Sequence, residues 1–467
     1  MKKLISYNII FLIFSHLCIA QEKVSGFVYD DATNNSISNV AIYDSNSEQI
    51  YYTDKSGYFE FNKNINTSEI IFFIEGYILL SKQLSEDNTN LIIRLSSRVE
   101  QLNEVVVRAN KKKIFQIRRM KDFEETSVFA GKKNEVILLE LSMANLASNN
   151  ARQIYNQIPG LNIYQNDDAG LQLNIGGRGL DPNRTSNFNT RQNGYDISAD
   201  ALGYPESYYT PPAEGLNEIQ ILRGAASLQY GTQFGGLINF IMKKPNPDKK
   251  LEIITRNTVG SNDLFTNFTS LSSKGQKLSY YGYFNYKKGN GFRENSNFES
   301  MNTFQFIEYK FNETSSISSE ITYLKYLAKQ AGGLSDEMFI QNPFQSNRSR
   351  NWFEVDWLLY NLKFKKEFSA NTNFSFSFFG LEAKRNSLGF RTNRVSQVDS
   401  GQERDLIKGD FSNFGFETRL LTNYKAFKNK SYFLLGLKYY NSNSSSIQGP
   451  GSNGDDANFN FQNSLYP

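Results

Sequence analysis

Polar and apolar residues alternate along the chain from Leu251 to about Asn441. The pattern is clearest where Phe374, Phe376 and Phe378 fall on one face of an extended chain, with serines between them. A period of two predicts strands with one apolar and one polar face. About nine such runs occur, as periodicity defines them, and they begin near residues 251, 263, 277, 301, 315, 354, 372, 411 and 431.

The gaps between these runs alternate in length. Short gaps lie near residues 274–276, 312–314, 369–371 and 426–430, and long gaps near 288–300, 327–353, 386–410 and from 443 onward; only the gap near 261 departs from this. Antiparallel strands with tight turns at one end and long loops at the other are typical of outer-membrane β-barrels. In such a barrel every backbone group is paired, so one face can contact lipid. The alternative is a soluble β-sandwich, whose strands are usually about 5–6 residues long.

Composition supports a membrane barrel more than a nucleic-acid-binding or helical membrane protein. The chain has 467 residues, a net charge of +4, and no basic patch interleaved with aromatic residues. Aromatic residues make up 14%, with 27 Tyr and 38 Phe against 2 Trp, which suits aromatic girdles at two membrane interfaces. The mean hydropathy of −0.50 argues against transmembrane helices.

Residues 1–20 predict a secretory signal peptide, because Lys2 and Lys3 precede a short apolar segment. Cleavage after this segment removes Cys18 and His16, the only cysteine and histidine of the chain. The mature protein then lacks a thiol or imidazole for a disulfide, for zinc or haem, or for activating a nucleophile. We therefore expect no enzyme, no resident metal and no cofactor.

Residues 21–97 predict a small β-sandwich, since short apolar runs are separated by turn residues such as those in "YTDKSGYFEF". The stretches "VSGFVYDDATNNSISNVAIYDSN", "YTDKSGYFEF" and "IEGY" resemble the carboxypeptidase-regulatory-like domain that precedes many Bacteroidetes outer-membrane receptors. The resemblance implies a non-catalytic accessory domain in the periplasm. The alternative interpretation is a passive spacer.

Residues 122–246 predict a compact α+β unit. A capped helix is expected between about Asn149 and Gly160, where Pro159-Gly160 ends it, and a short strand is expected over residues 171–175. Glycines cluster in this unit, but their spacing fits no phosphate-binding motif.

Three stretches of this unit, "IYNQIPGLNI", "LNIGGRGLDP" and "NEIQILRGAASLQYGTQFGGLINFIMKKP", resemble the plug of TonB-dependent outer-membrane receptors. The resemblance implies a plug inside a 22-strand barrel in the cell outer membrane, with the plug and N-terminal domain reached from the periplasm. It also implies active uptake driven by the energy-coupling protein TonB. The residues that it makes structural are Arg178, Gly179, Arg223, Gly224, Gly231, Gly235 and Gly236.

The linker, residues 98–121, contains a strand-prone segment that includes Glu104, Val105, Val106 and Val107. An extended segment can pair with the edge of another sheet. In the receptors that this chain resembles, a segment near the start of the plug contacts TonB. We therefore expect these residues to be the TonB-contacting segment; an ordinary domain linker is the alternative.

The stretches "GLDPNRTSNFNTRQNGYDI", "AGGLSDEMF", "SRNWFEVDW" and "FGFETRLL" resemble the ferric citrate receptor group most. The resemblance implies uptake of a ferric chelate such as ferric citrate or a siderophore. Arginine binds carboxylates with planar, paired donors, so the expected ligand-binding residues are Arg184, Arg191, Tyr204, Tyr208, Arg348 and Arg350. The alternatives are uptake of an oligosaccharide or peptide, or a surface β-protein without transport.

Residues 247–467 predict the barrel, but they are too few to close one around a plug. Twenty-two strands of roughly 10 residues need about 220 residues before any loops are added. We therefore expect about nine strands of the 22, in an open half-barrel with an exposed edge, and a chain that is incomplete at its C-terminus.

Overall fold

The structure is a computed structural model that describes residues 23–44, 50–63, 68–84, 89–96, 117–131, 134–140, 142, 144–156, 158–165, 167–201, 205–231, 233–390, 395, 399, 404–427, 429–451 and 457–460. The chain divides into two compact units, Met1–Ala109 and Asn110–Pro467. In the described residues, none of the helices has the length and apolar character that crossing a membrane requires.

The first unit is the predicted β-sandwich. Its strands are β1 (Lys23–Asp30), β2 (Ala41–Asp44), β3 (Ile50–Tyr52), β4 (Tyr58–Asn62), β5 (Glu69–Phe73), β6 (Leu80–Gln83) and β7 (Leu91–Leu95). They form a three-stranded sheet in the order β4-β1-β7 and a four-stranded sheet in the order β3-β2-β5-β6. Alternation buries Phe59 and Phe61 from one sheet and Ile70 and Phe72 from the other in a common core.

The second unit begins with the α+β segment that the sequence predicts. Its elements are β8 (Ile117–Arg119), β9 (Phe123–Glu124), β10 (Ser127–Val128), β11 (Glu135–Leu138), α1 (Ala151–Tyr155), β12 (Leu161–Tyr164), β13 (Asn174–Gly177), β14 (Phe188–Gln192), β15 (Tyr195–Asp196), β16 (Leu216–Leu222) and β17 (Gly236–Met242). A six-stranded sheet runs in the order β15-β14-β17-β16-β11-β8, and only its β14–β17 pair is parallel. Hereafter residues 117–246 are called the plug.

Two local predictions in the plug were inaccurate. Helix α1 is only five residues long, because Asn150 caps it and the chain already turns at Ile158, whose N–H bonds to the carbonyl of Tyr155 at 3.1 Å. The strand expected over residues 171–175 begins only at Asn174.

The rest of the second unit is one antiparallel sheet of nine strands in chain order. The strands are β18 (Leu251–Gly260), β19 (Leu264–Lys274), β20 (Leu278–Gly289), β21 (Phe298–Asn312), β22 (Ser315–Lys329), β23 (Trp352–Ser369), β24 (Thr372–Gly389), β25 (Arg404–Ala426) and β26 (Asn429–Gly451), with helix α2 (Asp336–Gln341) before β23. All nine predicted runs are strands. In the described part of the chain β18 and β26 are edge strands, so the sheet is an open partial barrel, as predicted.

The loops of this sheet have the predicted asymmetry, except that the long gap expected from residue 443 onward is wrong, because β26 continues to Gly451. Long connections follow β20, β22 and β24, and tight turns follow β19, β21 and β23. The turn after β18, which departed from the pattern, is a tight turn at the same end as the long loops, because the N–H of Asn290 donates to the carbonyl of Asn262 at 2.8 Å. This end of the sheet is called the long-loop end.

The two faces of the sheet differ as the alternation predicts. On β24, Phe376 and Phe378 are 36% and 38% exposed, while Ser375 and Phe379 are 6% and 0% exposed. The inward face packs against the plug in one core that joins Ile197 of the plug to Phe379 of the wall. The inward face is therefore less polar than predicted, because it must also bury the plug.

The outward face carries an apolar band with a charged boundary. Toward the long-loop end, Lys325, Asp356, Lys384 and Asp410 lie directly opposite one another on four adjacent strands, with alternating charge. On β23 the outward positions then remain apolar or aromatic until Lys366. Ten residues at about 3.3 Å, on strands tilted by about 40°, span a height of about 25 Å.

Candidate functional site

Arginine and aromatic side chains meet where the plug reaches the long-loop end. Arg184 and Tyr208 belong to plug loops, and Phe353 and Arg385 lie on the inward face, near the long-loop ends of β23 and β24. Both arginines donate to the Tyr208 hydroxyl, Arg184 at 3.3 Å and Arg385 at 3.2 Å. Both guanidinium carbons also lie 5.4 Å from the centre of the Tyr208 ring. These four residues are called the mouth cluster.

The mouth cluster is layered. Arg184 is its accessible member, with 30% of its side chain exposed and an ion pair to Glu206 at 3.0 Å. Tyr208 and Phe353 are buried, at 0% and 1% exposure, and Arg385 is 6% exposed. Planar guanidinium groups bind carboxylates with paired hydrogen bonds, and aromatic faces hold them in place. The arrangement is suited to an anionic, carboxylate-bearing ligand.

The backbone of the Arg184 loop is held by the plug beneath it. Arg184 has a φ of 49°, and its N–H donates to the side-chain oxygen of Asn174 at 2.8 Å. The neighbouring Thr185 hydroxyl donates to the carbonyl of Leu173 at 2.7 Å. The loop therefore presents Arg184 from a fixed backbone.

Arg348 and Arg350 belong to a different place. The guanidinium carbons of Arg348 and Arg404 lie 5.4 and 5.5 Å from the centre of the Phe390 ring. On β25, Arg404 has the same parity as outward-facing Asp410, whereas Arg385 of the mouth cluster faces inward. Arg350 is half-buried. The structure therefore places Arg348 at the Phe390 ring and not among the four residues of the mouth cluster.

Arg191 is not at the mouth but inside the plug. It is 0% exposed, and its guanidinium pairs with Asp196 and with Glu417 of the wall, each at 3.1 Å. It also donates to the carbonyl of Tyr230 at 3.2 Å, and Lys438 of the wall reaches Asp196 at 2.6 Å. This set is called the plug–wall ion network, and it gives Arg191 the contacts of a structural residue rather than of a ligand residue.

The electrostatics of this network favour the charged forms. Burial opposes the charge of Asp196, but Arg191 and then Lys438 outweigh it and hold the pKa of this carboxyl below its usual value. Burial likewise opposes the charge of Arg191, yet Asp196 and Glu417 keep its pKa above the ordinary value.

The plug contacts the wall again near the short-turn end. An open cleft lies there between plug and wall, lined in part by Glu125, Lys363 and Lys365. Glu125 pairs with Lys363 at 3.3 Å and also with Lys365. Lys363 above all, and Lys365 with it, hold the pKa of Glu125 well below its usual range. The hairpin that carries Glu125 is thus tied to the wall by charge.

The predicted structural residues of the plug have distinct environments. Arg223 ties the plug to itself through Glu135 and the carbonyl of Pro159, which it reaches at 2.7 Å. Arg178 is exposed, and no hydrogen bond or ion pair joins its side chain to another described residue, so the expected tie is not seen there. Four of the predicted glycines have positive φ: Gly179, Gly224, Gly231 and Gly236. At Gly235 a Cβ would lie 2.7 Å from the carbonyl oxygen of Asn187.

Some predicted residues lie outside the described part of the chain: Tyr204 of the ligand set, and Glu104, Val105, Val106 and Val107 of the TonB-contacting segment. Sequence reasoning missed Arg385 and Phe353. Alternation along β24 could have identified Arg385, because it lies an even number of residues from Ser375 and therefore on the same, inward face.

Comparison with known families matches two parts of the chain. Residues 24–107 match the CarboxypepD_reg-like domain, and residues 140–237 match the TonB-dependent Receptor Plug Domain. The ferric enterobactin receptor PirA of Pseudomonas aeruginosa is 31% identical over 140 residues, which cover 27% of this chain and 17% of that protein.

Solved structures share the fold of the second unit. The ferric citrate transporter FecA in its unliganded form aligns with a TM-score of 0.58 at 19% identity, covering 71% of this chain and 50% of that chain. The ferric preacinetobactin receptor BauA of Acinetobacter baumannii aligns with a TM-score of 0.54 at 15% identity, covering 70% of this chain and 50% of that chain. This chain thus spans about half the length of these structures. It contains a carboxypeptidase-regulatory-like domain and a TonB-dependent receptor plug domain, and its second unit has the plug-and-barrel fold of TonB-dependent receptors.

Proposed function

We propose that this protein serves TonB-dependent uptake of an anionic ferric chelate, such as ferric citrate, across the cell outer membrane. One observation carries the proposal: a plug lies on the inward face of a sheet whose outward face is an apolar band. A band about 25 Å tall is the height that outer-membrane barrels present to lipid.

The charged row above the band supports the same orientation. Lys325, Asp356, Lys384 and Asp410 face outward where the apolar band ends. Charged side chains are costly at the centre of a bilayer and cheap at its interface. The row therefore marks the level of the lipid headgroups, and the long loops extend beyond it.

A plugged wall needs energy to let a ligand through. The plug is joined to the wall by buried ion pairs at Arg191 and Glu417 and by many apolar contacts, and the outer membrane offers no ATP. A mechanical pull from the periplasm, which is the role of TonB, supplies that energy. The segment Glu104 to Val107 is our candidate for its attachment.

The mouth cluster is the candidate site for the chelate. Arg184 offers an accessible guanidinium, and Arg385 lies behind it across the ring of Tyr208. A ferric citrate-like complex carries carboxylates that arginine binds in pairs. The relatives whose names contain ferric enterobactin, ferric citrate and ferric preacinetobactin support iron as the cargo.

Growth on a single iron source tests the proposal. A strain that lacks the gene is grown under iron limitation with ferric citrate, and we expect slow growth that the wild-type gene restores. The double variant Arg184→Ala/Arg385→Ala should fail to restore it, whereas Arg178→Ala, which removes an exposed plug arginine, should succeed. Equal growth with and without the gene contradicts the iron proposal, and a growth defect on oligosaccharide or peptide instead would favour those cargoes.

A further inference from the structure

The four-stranded sheet of the first unit has an exposed apolar face. The side chains of Tyr43, Ile50, Tyr52, Phe73 and Leu79 are 37%, 45%, 61%, 38% and 45% exposed, respectively. Strand register places the first four together, since Ala41 pairs with both Tyr52 and Phe73, and Tyr43 pairs with Ile50; Leu79 directly precedes Leu80, the partner of Phe72. Contiguous apolar patches of this kind usually mark interaction sites. This set is called the aromatic face.

The outward face of the opposite sheet also carries aromatic residues, since the Phe27 ring lies 6.2 Å from Tyr29 and 5.1 Å from Tyr58, centre to centre, but these three side chains are half-buried. Its outward positions include an ion pair of Lys23 with Glu60 at 2.7 Å and a hydrogen bond from Arg94 to Asn34 at 2.6 Å. Ile92, at 67%, is the exposed aliphatic residue there. The aromatic face differs from the opposite sheet in exposure, because each of its five apolar side chains is at least 37% exposed.

The chain leaves the sandwich at one corner of the aromatic face. The carbonyl of Ser96 accepts a hydrogen bond from the N–H of Ile78 at 3.0 Å, and Ile78 precedes Leu79 of the face. Residues 97–116, outside the described part of the chain, begin at this corner. The linker therefore has the aromatic face within immediate reach.

The linker also carries a segment suited to such a surface. Its residues 102–107 read Leu-Asn-Glu-Val-Val-Val, a β-branched, strand-prone sequence. The match to the CarboxypepD_reg-like domain continues to residue 107, beyond the last strand of the sandwich at Leu95. Residues up to 107 thus belong to the same domain as the aromatic face.

The linker is long enough to cover the face. Six residues from Ser96 to Leu102 extend up to about 20 Å, and a four-stranded sheet is about 14 Å wide. Burial of apolar side chains on exposed aromatic residues supplies the driving force.

We propose that the aromatic face is the docking surface for this chain's own segment Leu102–Val107. The segment is then either held by the domain or available to an outside partner, but not both. This consequence rests on the proposed function, in which residues 104–107 contact TonB; the docking itself does not. The domain would thereby regulate how often the energy-coupling segment is free.

Amide hydrogen exchange in the full-length protein tests the docking. If the segment is docked in about nine molecules out of ten, its amides exchange about tenfold more slowly than in an unstructured chain. The double variant Tyr52→Ser/Phe73→Ser should abolish this protection. The matched control Ile92→Ser removes an exposed aliphatic side chain from the other sheet, and it should leave the protection unchanged.

A cross-linking measurement tests the docking independently, because slow amide exchange of the segment could also arise from contacts elsewhere. Leu79→Cys/Val106→Cys should form a disulfide under mild oxidation, and Ile92→Cys/Val106→Cys should not. Full exchange of residues 103–107 in the wild type, or equal protection in Tyr52→Ser/Phe73→Ser, would overturn the proposal. Neither readout depends on transport, so failure here leaves uptake of the chelate untouched, and failure of uptake leaves the docking result intact.

Discussion

Replacing Arg191 by methionine should loosen the plug from the wall without disturbing the mouth. The guanidinium is 0% exposed and pairs with Asp196 and Glu417, each at 3.1 Å. Methionine preserves much of the volume, so the change removes charge and hydrogen bonds more than packing.

The free-energy cost of this substitution depends on which cationic partner each carboxylate retains. Breaking a buried ion pair by removing one partner costs about 3–5 kcal/mol, because the other charge is left uncompensated. Here Asp196 retains Lys438 at 2.6 Å and Glu417 retains Arg419. We therefore expect the lower end, about 3 kcal/mol, which is roughly a hundredfold rise in the local opening equilibrium.

Amide exchange of residues 188–196 in membrane-embedded protein measures this opening. The matched control is Arg178→Met, the same substitution at an exposed plug arginine, which should change exchange by less than about twofold. If Arg191→Met exchanges no faster than Arg178→Met, the buried network does not hold the plug, and the energetic reasoning is refuted.

Three further predictions concern the backbone, the membrane face and pH. Gly236 has a φ of 116°, and a Cβ there would lie 2.3 Å from a backbone oxygen, so Gly236→Ala should destabilise the protein by about 2–4 kcal/mol. The control is Gly179→Ala, at a φ of 79° with no atom within 4 Å of the added Cβ, which should cost about 1 kcal/mol. Thermal melts compare the stability of the two variants. Phe378→Lys, in the middle of the apolar band, should cost about 2–4 kcal/mol in lipid, while Glu382→Lys, nearer the charged row, should be tolerated. The yield of folded protein in lipid vesicles measures both effects. Equal yields for the two variants would contradict the assignment of this face to lipid. Because the folded-state pKa of Asp196 is lowered, its contribution to stability is present above the unfolded pKa of about 3.9 and is lost as pH falls through the folded pKa. Asp196→Asn should therefore lose less stability than the wild type below about pH 4. An unchanged dependence of stability on pH would show that protonation of this carboxyl is not coupled to unfolding.

The wall was predictable because its pattern is local. Alternation along each strand decides which face Phe376 and Phe378 occupy, and loop lengths decide which end each turn occupies. What alternation does not specify is the partner of the other face. Trp357 and Phe379 are apolar residues on the inward face, where alternation predicts polar ones. Their burial is explained by the plug, which packs against them in the shared core.

The candidate site was only partly predictable for a related reason. Arg184 and Arg191 are seven residues apart in one plug segment, yet one is 30% exposed at the mouth and the other is buried beneath it. Residue type and position in the sequence predict the same exposure for both arginines. The difference arises because Arg191 lies on strand β14 and Arg184 lies in the loop before it. Arg348 and Arg404 similarly share the Phe390 ring, and both are buried, at 6% and 1% exposure. Position in a loop does not predict that burial.

Helix α1 shows the opposite limit. The sequence predicted a capped helix here, and the structure identifies Asn150 as the cap, whose side chain accepts the N–H of Gln153 at 3.1 Å. The length of the helix was not predictable, because the packing of Ile154, Tyr155 and Ile158 into the shared core, rather than helix propensity, decides where the chain turns.

A direct binding measurement tests the central claim that the mouth cluster receives an anionic ferric chelate. Trp357 lies 5.9 Å from the Tyr208 ring, centre to centre, so a ferric chelate whose carboxylates are bound by Arg184 and Arg385 should quench its fluorescence. We predict saturable quenching on titration with ferric citrate in the wild type and in Arg178→Ala, and its loss in Arg184→Ala/Arg385→Ala. Quenching that does not saturate, or that is equal in the double variant and the wild type, would contradict the account.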